Sequence, residues 1–192
     1  MHRLIAISLA TLCACLPAGS LPAVAQDGAN PLAPAPACTN NKGETVSFEV
    51  VEGGRKGLAA GMARRDGQGR PVVMRANFTA APEPFQKFID RHECAHHQTG
   101  DVDMPHPPRN GPEHLMNEAV ADCIAILRLR DEEGFGEEGL KQVSEALAAD
   151  MKGIGFPEIS VSSRLRNIES CFARDGNAAQ LIAARLKERD QQ

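Results

Sequence analysis

Apolar and polar residues alternate over 45–51, with Val46, Phe48 and Val50 on one side. A period of two marks a half-buried strand. A glycine-rich turn over 52–57 follows. Residues 58–64 then read as a second strand, despite the alanines, and 71–78 as a third. Between these two, Arg65-Asp66-Gly67-Gln68-Gly69 carries the Asp-Gly signal of a hairpin. The three runs predict a small antiparallel sheet.

After Pro82 the period changes from two to about 3.6. Phe85, Phe88, Ile89, His92 and His96 share one face of a helix over 84–98. Gly111-Pro112 opens a second helix to about residue 130, with proline in its tolerated first turn. Leu115, Glu118, Asp122, Ile126 and Leu129 share one face of it. Leu140, Val143 and Leu147 define a third helix over 136–151. Ser162 is the expected cap of a fourth holding Leu165, Ile168 and Phe172, and Leu181, Ile182 and Leu186 define a short fifth. Strands followed by helices, with no internal repeat, give an α+β fold.

The N-terminus carries a different pattern. Met1-His2-Arg3 is a short basic start, and 4–16 is apolar but short for a membrane span. Ala23-Val24-Ala25 before Gln26 fits the small-x-small rule of signal cleavage. Residues 1–25 are therefore expected to be a signal peptide, 26–37 a flexible Pro/Ala-rich lead-in, and 38–192 one folded domain, exported to the periplasm or beyond. Leu12-Cys13-Ala14-Cys15 offers a lipid anchor at Cys15 as the alternative, although the later cleavage site fits more cleanly. Removing the signal leaves Cys38, Cys94, Cys123 and Cys171. An even count in an oxidising compartment predicts disulfides, at least one of them tying the C-terminal helices to the rest through Cys171. Sequence alone does not choose among the three pairings.

Composition narrows the picture further. Hydrophobic residues make up 42% of the chain, enough for a core, yet Trp and Tyr are absent. Aliphatic side chains and seven Phe must build that core. The net charge is −4 and no run of Lys and Arg occurs, so nucleic acid or an anionic membrane finds no electrostatic partner here.

The chemistry is concentrated in two segments. His92-Glu93-Cys94-Ala95-His96 matches H-E-x-x-H. Residues four apart on a helix share a face, so both imidazoles can reach one ion while the glutamate holds a water beside it. The histidines also continue an apolar stripe, where imidazoles need partners. In the next helix Glu118 and Asp122 interrupt a stripe of Leu and Ile. Two bare carboxylates there would be costly, and a metal for one with a histidine N–H for the other removes the cost. An ion pair with Arg128 or Arg130 is the plainer alternative. Cys94 lies about 200° around the helix from His92, at about 100° per residue, so it faces away from such a metal.

Together, His92-Glu93-Cys94-Ala95-His96 and Asn117-Glu118-Ala119-Val120-Ala121-Asp122 resemble the H-E-x-x-H and N-E-x-x-[AS]-D pair of gluzincins, the thermolysin-like zinc metallopeptidases. The likeness covers about a fifth of the chain, and the chain is nearer in size to small exported bacterial metallopeptidases. It implies a zincin-like domain in which His92, His96 and Glu118 bind Zn2+, Glu93 is the general base, and Asp122 orients His92. The implied substrate is a peptide or protein. Strand 71–78 would border the cleft, with the loop around Met104-Pro105-His106-Pro107-Pro108 opposite. One departure is the missing Tyr, since gluzincins use Tyr or His for the oxyanion. His114, four residues before Glu118, is the leading substitute, followed by His106 and Arg109. His97 reads as structural, and Asp101 and Asp103 as a solvated turn rather than a calcium site. A non-catalytic zinc-binding exported domain is the alternative, although it has no need of Glu93. A disulfide-stapled interaction module would leave Glu118 and Asp122 unexplained.

Overall fold

The computed structural model describes residues 32–51, 61–76 and 81–191. The expected signal peptide, the lead-in up to residue 31, the turn over 52–57 and the strand ends at 58–60 and 77–78 lie outside the described residues.

Three strands, β1 (Ser47–Val51), β2 (Gly61–Arg65) and β3 (Pro71–Ala76), form a sheet in the order β1-β3-β2. β2 and β3 form the expected hairpin. Asp66 Oδ1 closes it by accepting from the backbone N–H groups of Gln68 (2.8 Å) and Arg70 (2.9 Å). β1, however, runs parallel to β3, with Phe48 beside Val73. The sheet is mixed, which corrects the expectation of antiparallel pairing throughout. The reason lies in β3, whose Val72 and Val73 are fully buried. The most apolar strand takes the centre, where both its edges are paired, and the more exposed β1 and β2 become the edges.

Five helices follow: α1 (Glu83–Gln98), α2 (Pro112–Glu133), α3 (Glu137–Gly153), α4 (Glu158–Ala173) and α5 (Ala178–Arg189). The α+β class holds. α4 starts after Pro157, so Ser162 lies within the helix and is not its cap. Proline presets φ and needs no amide partner, which favours the earlier start. α5 opens on a capping box between Asn177 and Gln180. α2 is the axis of the helical part, packed by α1, α4 and α5, and residues 121–127 are buried all round. Its first turns leave the core, so Leu115, expected on the buried stripe, is 54% exposed. Phe88 of α1, Ile126 and Leu129 of α2, Val143 of α3 and Ile168 of α4 meet in the main core.

Two disulfides brace this arrangement. Cys38–Cys94 ties the segment before β1 to the sheet-facing side of α1, with Cα atoms 6.0 Å apart. Cys123–Cys171 ties α2 to α4 across 5.3 Å. The expected link through Cys171 is therefore present, and the pair of bridges suits an oxidising environment. The packed chain also reaches back before Cys38. Ala33 is buried, its N–H donating to Gln86 Oε1 (2.8 Å) and its carbonyl accepting from Arg75 (2.7 Å). Among the described residues, no helix is long and apolar enough to cross a membrane.

Candidate metal centre and its cleft

α1 and α2 pack side by side, and each brings its polar positions to the same spot. His92 Nε2 and His96 Nε2 are 3.1 Å apart. Glu118 reaches His92 Nε2 with one oxygen and His96 Nε2 with the other, each at 3.5 Å. Ligand atoms about 2.0–2.1 Å from a tetrahedral ion are about 3.3 Å from one another, so each of these separations is of the size found around one ion. The three residues can hold a metal ion. Neither nitrogen can usefully bond the other when both present lone pairs, and a cation between them resolves that conflict.

The other nitrogen of each imidazole faces a carboxylate. Asp122 Oδ1 is 2.9 Å from His92 Nδ1, set off the line of the ring N–H, so the contact is close but poorly aligned. His96 Nδ1 bonds Asp101 Oδ2 at 2.8 Å. Carboxylates behind ligand histidines fix the tautomer and strengthen the donor. Both carboxylates are themselves held. Arg164 of α4 grips Asp122 with two bonds, 2.7 and 2.8 Å, and lies 3.3 Å from Glu118. Arg189 of α5 contacts Asp101. Asn117, next to Glu118, accepts from Arg185 at 2.7 Å.

The electrostatics follow from burial and these contacts. Burial alone would push Glu118 up, but His92 and His96 outweigh it and hold the carboxylate far below its usual range. Burial likewise opposes charge on His96, yet Asp101 and Glu118 raise it to about 10. His92 is raised against its burial by Asp122 and Glu118. Burial raises Asp122, and Arg164 and then His92 more than reverse it. A site that attracts protons this strongly is a site that attracts a cation, and metal would displace those protons.

Glu93 stands beside the triad, buried, with Oε2 accepting the N–H of Ala63 at 2.7 Å. Ala63 lies on β2, so the strand bordering the site is β2, not the expected 71–78 strand, which is central. The close approach depends on Gly61. A Cβ there would sit 2.8 Å from Glu93 Cγ and 3.0 Å from Ile89 Cγ2. The cleft, about 420 Å³, is lined by Gly61, Met62 and Ala63 of β2 and by His106, Pro107 and Arg109 of the loop before α2, among others.

Of the expected site residues, His92, His96, Glu118, Glu93, Asp122 and His114 all come together here. His114 lines the cleft, with a buried Nδ1 that has no partner among the described residues. His106 and Arg109 line it from an exposed loop. His97 is structural, buried and bonded to the Val72 carbonyl at 3.1 Å, and burial lowers its pKa. Arg128 and Arg130 pair elsewhere, with Glu132 and Asp131. Asp101, read from sequence as a solvated turn, instead supports His96. Gly100, in the left-handed conformation with φ 76°, turns the chain back after α1 and makes that contact. Asp103 alone meets solvent-side partners, Arg65 and Lys42. Arg164 and Arg189 gave no local signal, because their partners lie 42 and 88 residues away.

No family model, curated protein or solved structure matches this chain.

Proposed function

We propose that the protein is an exported zinc metallopeptidase of the gluzincin type, which hydrolyses peptide bonds with Glu93 as general base. The observation that carries this reading is the convergence of His92, His96 and Glu118, with the two ring nitrogens 3.1 Å apart, a carboxylate oxygen 3.5 Å from each, and Glu93 lining the same cleft. Two imidazoles and a carboxylate are the donor set of catalytic rather than closed structural zinc sites, and they leave a coordination position open. When bound, zinc supplies a Lewis acid that polarises a carbonyl and brings the pKa of water down towards about 7.

The chain's own groups supply the rest. Glu93 is tied through Oε2 only, and Oε1 has no partner among the described residues. That oxygen takes a proton from the attacking water and later returns it to the leaving amine. Asp122 and Asp101 hold the imidazoles in one tautomer. β2 is an edge strand of the sheet, and an extended peptide would lie along that edge, where the Ala63 N–H is held by Glu93. His114 lies on the same wall as Glu118 and is assigned to stabilising the oxyanion.

The test is Glu93→Gln. Zinc content, by elemental analysis, should stay as in the parent. Cleavage of a broad peptide library should fall by about two to four orders of magnitude, the range of a general base. Equal cleavage by variant and parent would remove Glu93 from the mechanism. Bound zinc with no hydrolysis by the parent would leave a non-catalytic zinc-binding domain.

A further inference from the structure

The inner wall of the cleft carries a carboxylate that the proposed mechanism does not use. Ile89 of α1 and Leu147 of α3 form an apolar surface beside Glu93. Asp150 follows Leu147 by three residues on α3, so the two side chains share a face, and both line the cleft. Asp150 is half-buried, and no hydrogen bond or ion pair reaches its carboxylate from any described residue. Burial pushes its pKa up, with Arg164 acting the other way.

The cations that line the cleft with it are committed elsewhere or make no ion pair with it. Arg164 is held at 2.7 and 2.8 Å by Asp122 and at 3.3 Å by Glu118. Arg109 is exposed on the loop before α2 and makes no ion pair with Asp150. A divalent ion would balance Glu93 and Glu118, while Arg164 and Arg189 balance Asp122 and Asp101. Asp150 remains as a carboxylate of the cleft with no hydrogen bond or ion pair from any described residue. An apolar wall ending in a carboxylate fits an amphipathic cation, whose methylene stem lies on the wall and whose charged end reaches the acid.

From this geometry we infer that Asp150 is a specificity determinant, and that the cleft takes peptides with a Lys or Arg side chain next to the bond to be cut. The stem would run along Ile89 and Leu147 and the charged end would meet Asp150. The inference rests on the peptidase reading above and adds a substrate class to it.

Matched N-acetylated peptides test this, with Lys against norleucine and Arg against citrulline at each position flanking one bond. The zinc-loaded parent should cut the basic member about tenfold faster in kcat/KM, the scale of one partly desolvated charge pair. Asp150→Asn should bring the pair together while leaving zinc content, melting temperature and cleavage of the neutral peptides unchanged within about twofold. Asp150→Lys should shift the preference towards Glu, which guards against a fold defect in the first variant. A preference that survives Asp150→Asn, or no preference in the parent, overturns the assignment. So does a preference that appears only when the N-terminus is left free. If the parent cuts nothing, the peptidase reading has failed, and fluorescence anisotropy of the same peptides decides the site by itself. About tenfold tighter binding of the basic peptides, lost in Asp150→Asn, supports it, and equal binding overturns it.

Discussion

Two buried polar clusters flank α1, and they are built on opposite rules. On the sheet side, Arg75 of β3 donates to Asp90 (2.8 Å) and to the Ala33 carbonyl (2.7 Å), while Gln86 bonds the Ala33 N–H and the Ala81 carbonyl. Donor faces acceptor at nearly every contact, and Asp90 Oδ1 and Arg75 Nε are the exceptions. On the α2 side, the Nε2 atoms of two imidazoles face one another and both face the Glu118 carboxylate. The first cluster is closed by the chain itself. The second gathers groups that could hold a cation, and that asymmetry separates a structural polar core from a candidate binding site. Both clusters use residues of the same helix, so α1 is the partition between them. The outer carboxylates of the second cluster, Asp122 and Asp101, again follow the closed rule with Arg164 and Arg189.

The comparison breaks most sharply at Glu118. Glu118→Ala leaves two histidines, too few for a tight site, and bound zinc should fall by several orders of magnitude in a competition titration. The melting temperature should fall with it when zinc is present, because metal that binds only the folded state stabilises that state. Zinc bound as tightly as in the parent would move the third ligand elsewhere, with His114 and His106 next to be tested.

Asp90→Ala should do the reverse. It strands Arg75 in a buried position, at a cost of about 3–5 kcal/mol in denaturant unfolding. Zinc affinity of the remaining folded protein should stay unchanged. A loss of zinc as large as that of Glu118→Ala would show that the two clusters are one system.

Asp101→Asn should have a smaller effect on the metal. Losing the carboxylate behind His96 should weaken zinc about 10–100-fold, the usual range for such partners. An unchanged affinity would make Asp101 a link between α1 and α5 and nothing more.

The least effect is expected at Asp103, whose contacts with Arg65 and then Lys42 hold its carboxyl down at about 2. A carboxyl lowered on folding contributes stability that is present above its ordinary value of about 3.8 and lost as pH falls through about 2. Asp103→Asn should therefore cost under about 1 kcal/mol near neutrality and nothing below about pH 2, read from unfolding curves across pH. An unfolding curve at neutral pH identical to the parent's would leave this ion pair without weight.

How far each of these residues could be read beforehand depends on the range of its partners. His92, Glu93 and His96 lie within one turn and a half of helix, so their shared face follows from spacing alone. Glu118 and Asp122 stand out because carboxylates on an apolar stripe need an explanation. The hairpin between β2 and β3 is local too, announced by Asp66-Gly67. All five helices announce themselves by the period of their apolar residues, although α4 is capped at Pro157 and not at Ser162.

Other features have no local trace. The parallel pairing of β1 with β3 sets strand against strand across an intervening hairpin member, and only burial of β3 on both sides decides it. For the same reason the cleft is bordered by β2. Asp101 looks like any acid in a turn until Gly100 folds it back onto His96. Arg164, Arg189 and Asp150 sit on helices whose own patterns give no hint of the metal site. Sequence by itself determined the helical register, and with it which side chains of α1 and α2 share a face, because a helix obeys a local period. Which arginine meets which carboxylate, which strand borders the cleft and which acid is left without a partner were decided by packing alone, since those contacts join segments far apart in the chain whose meeting no local period describes.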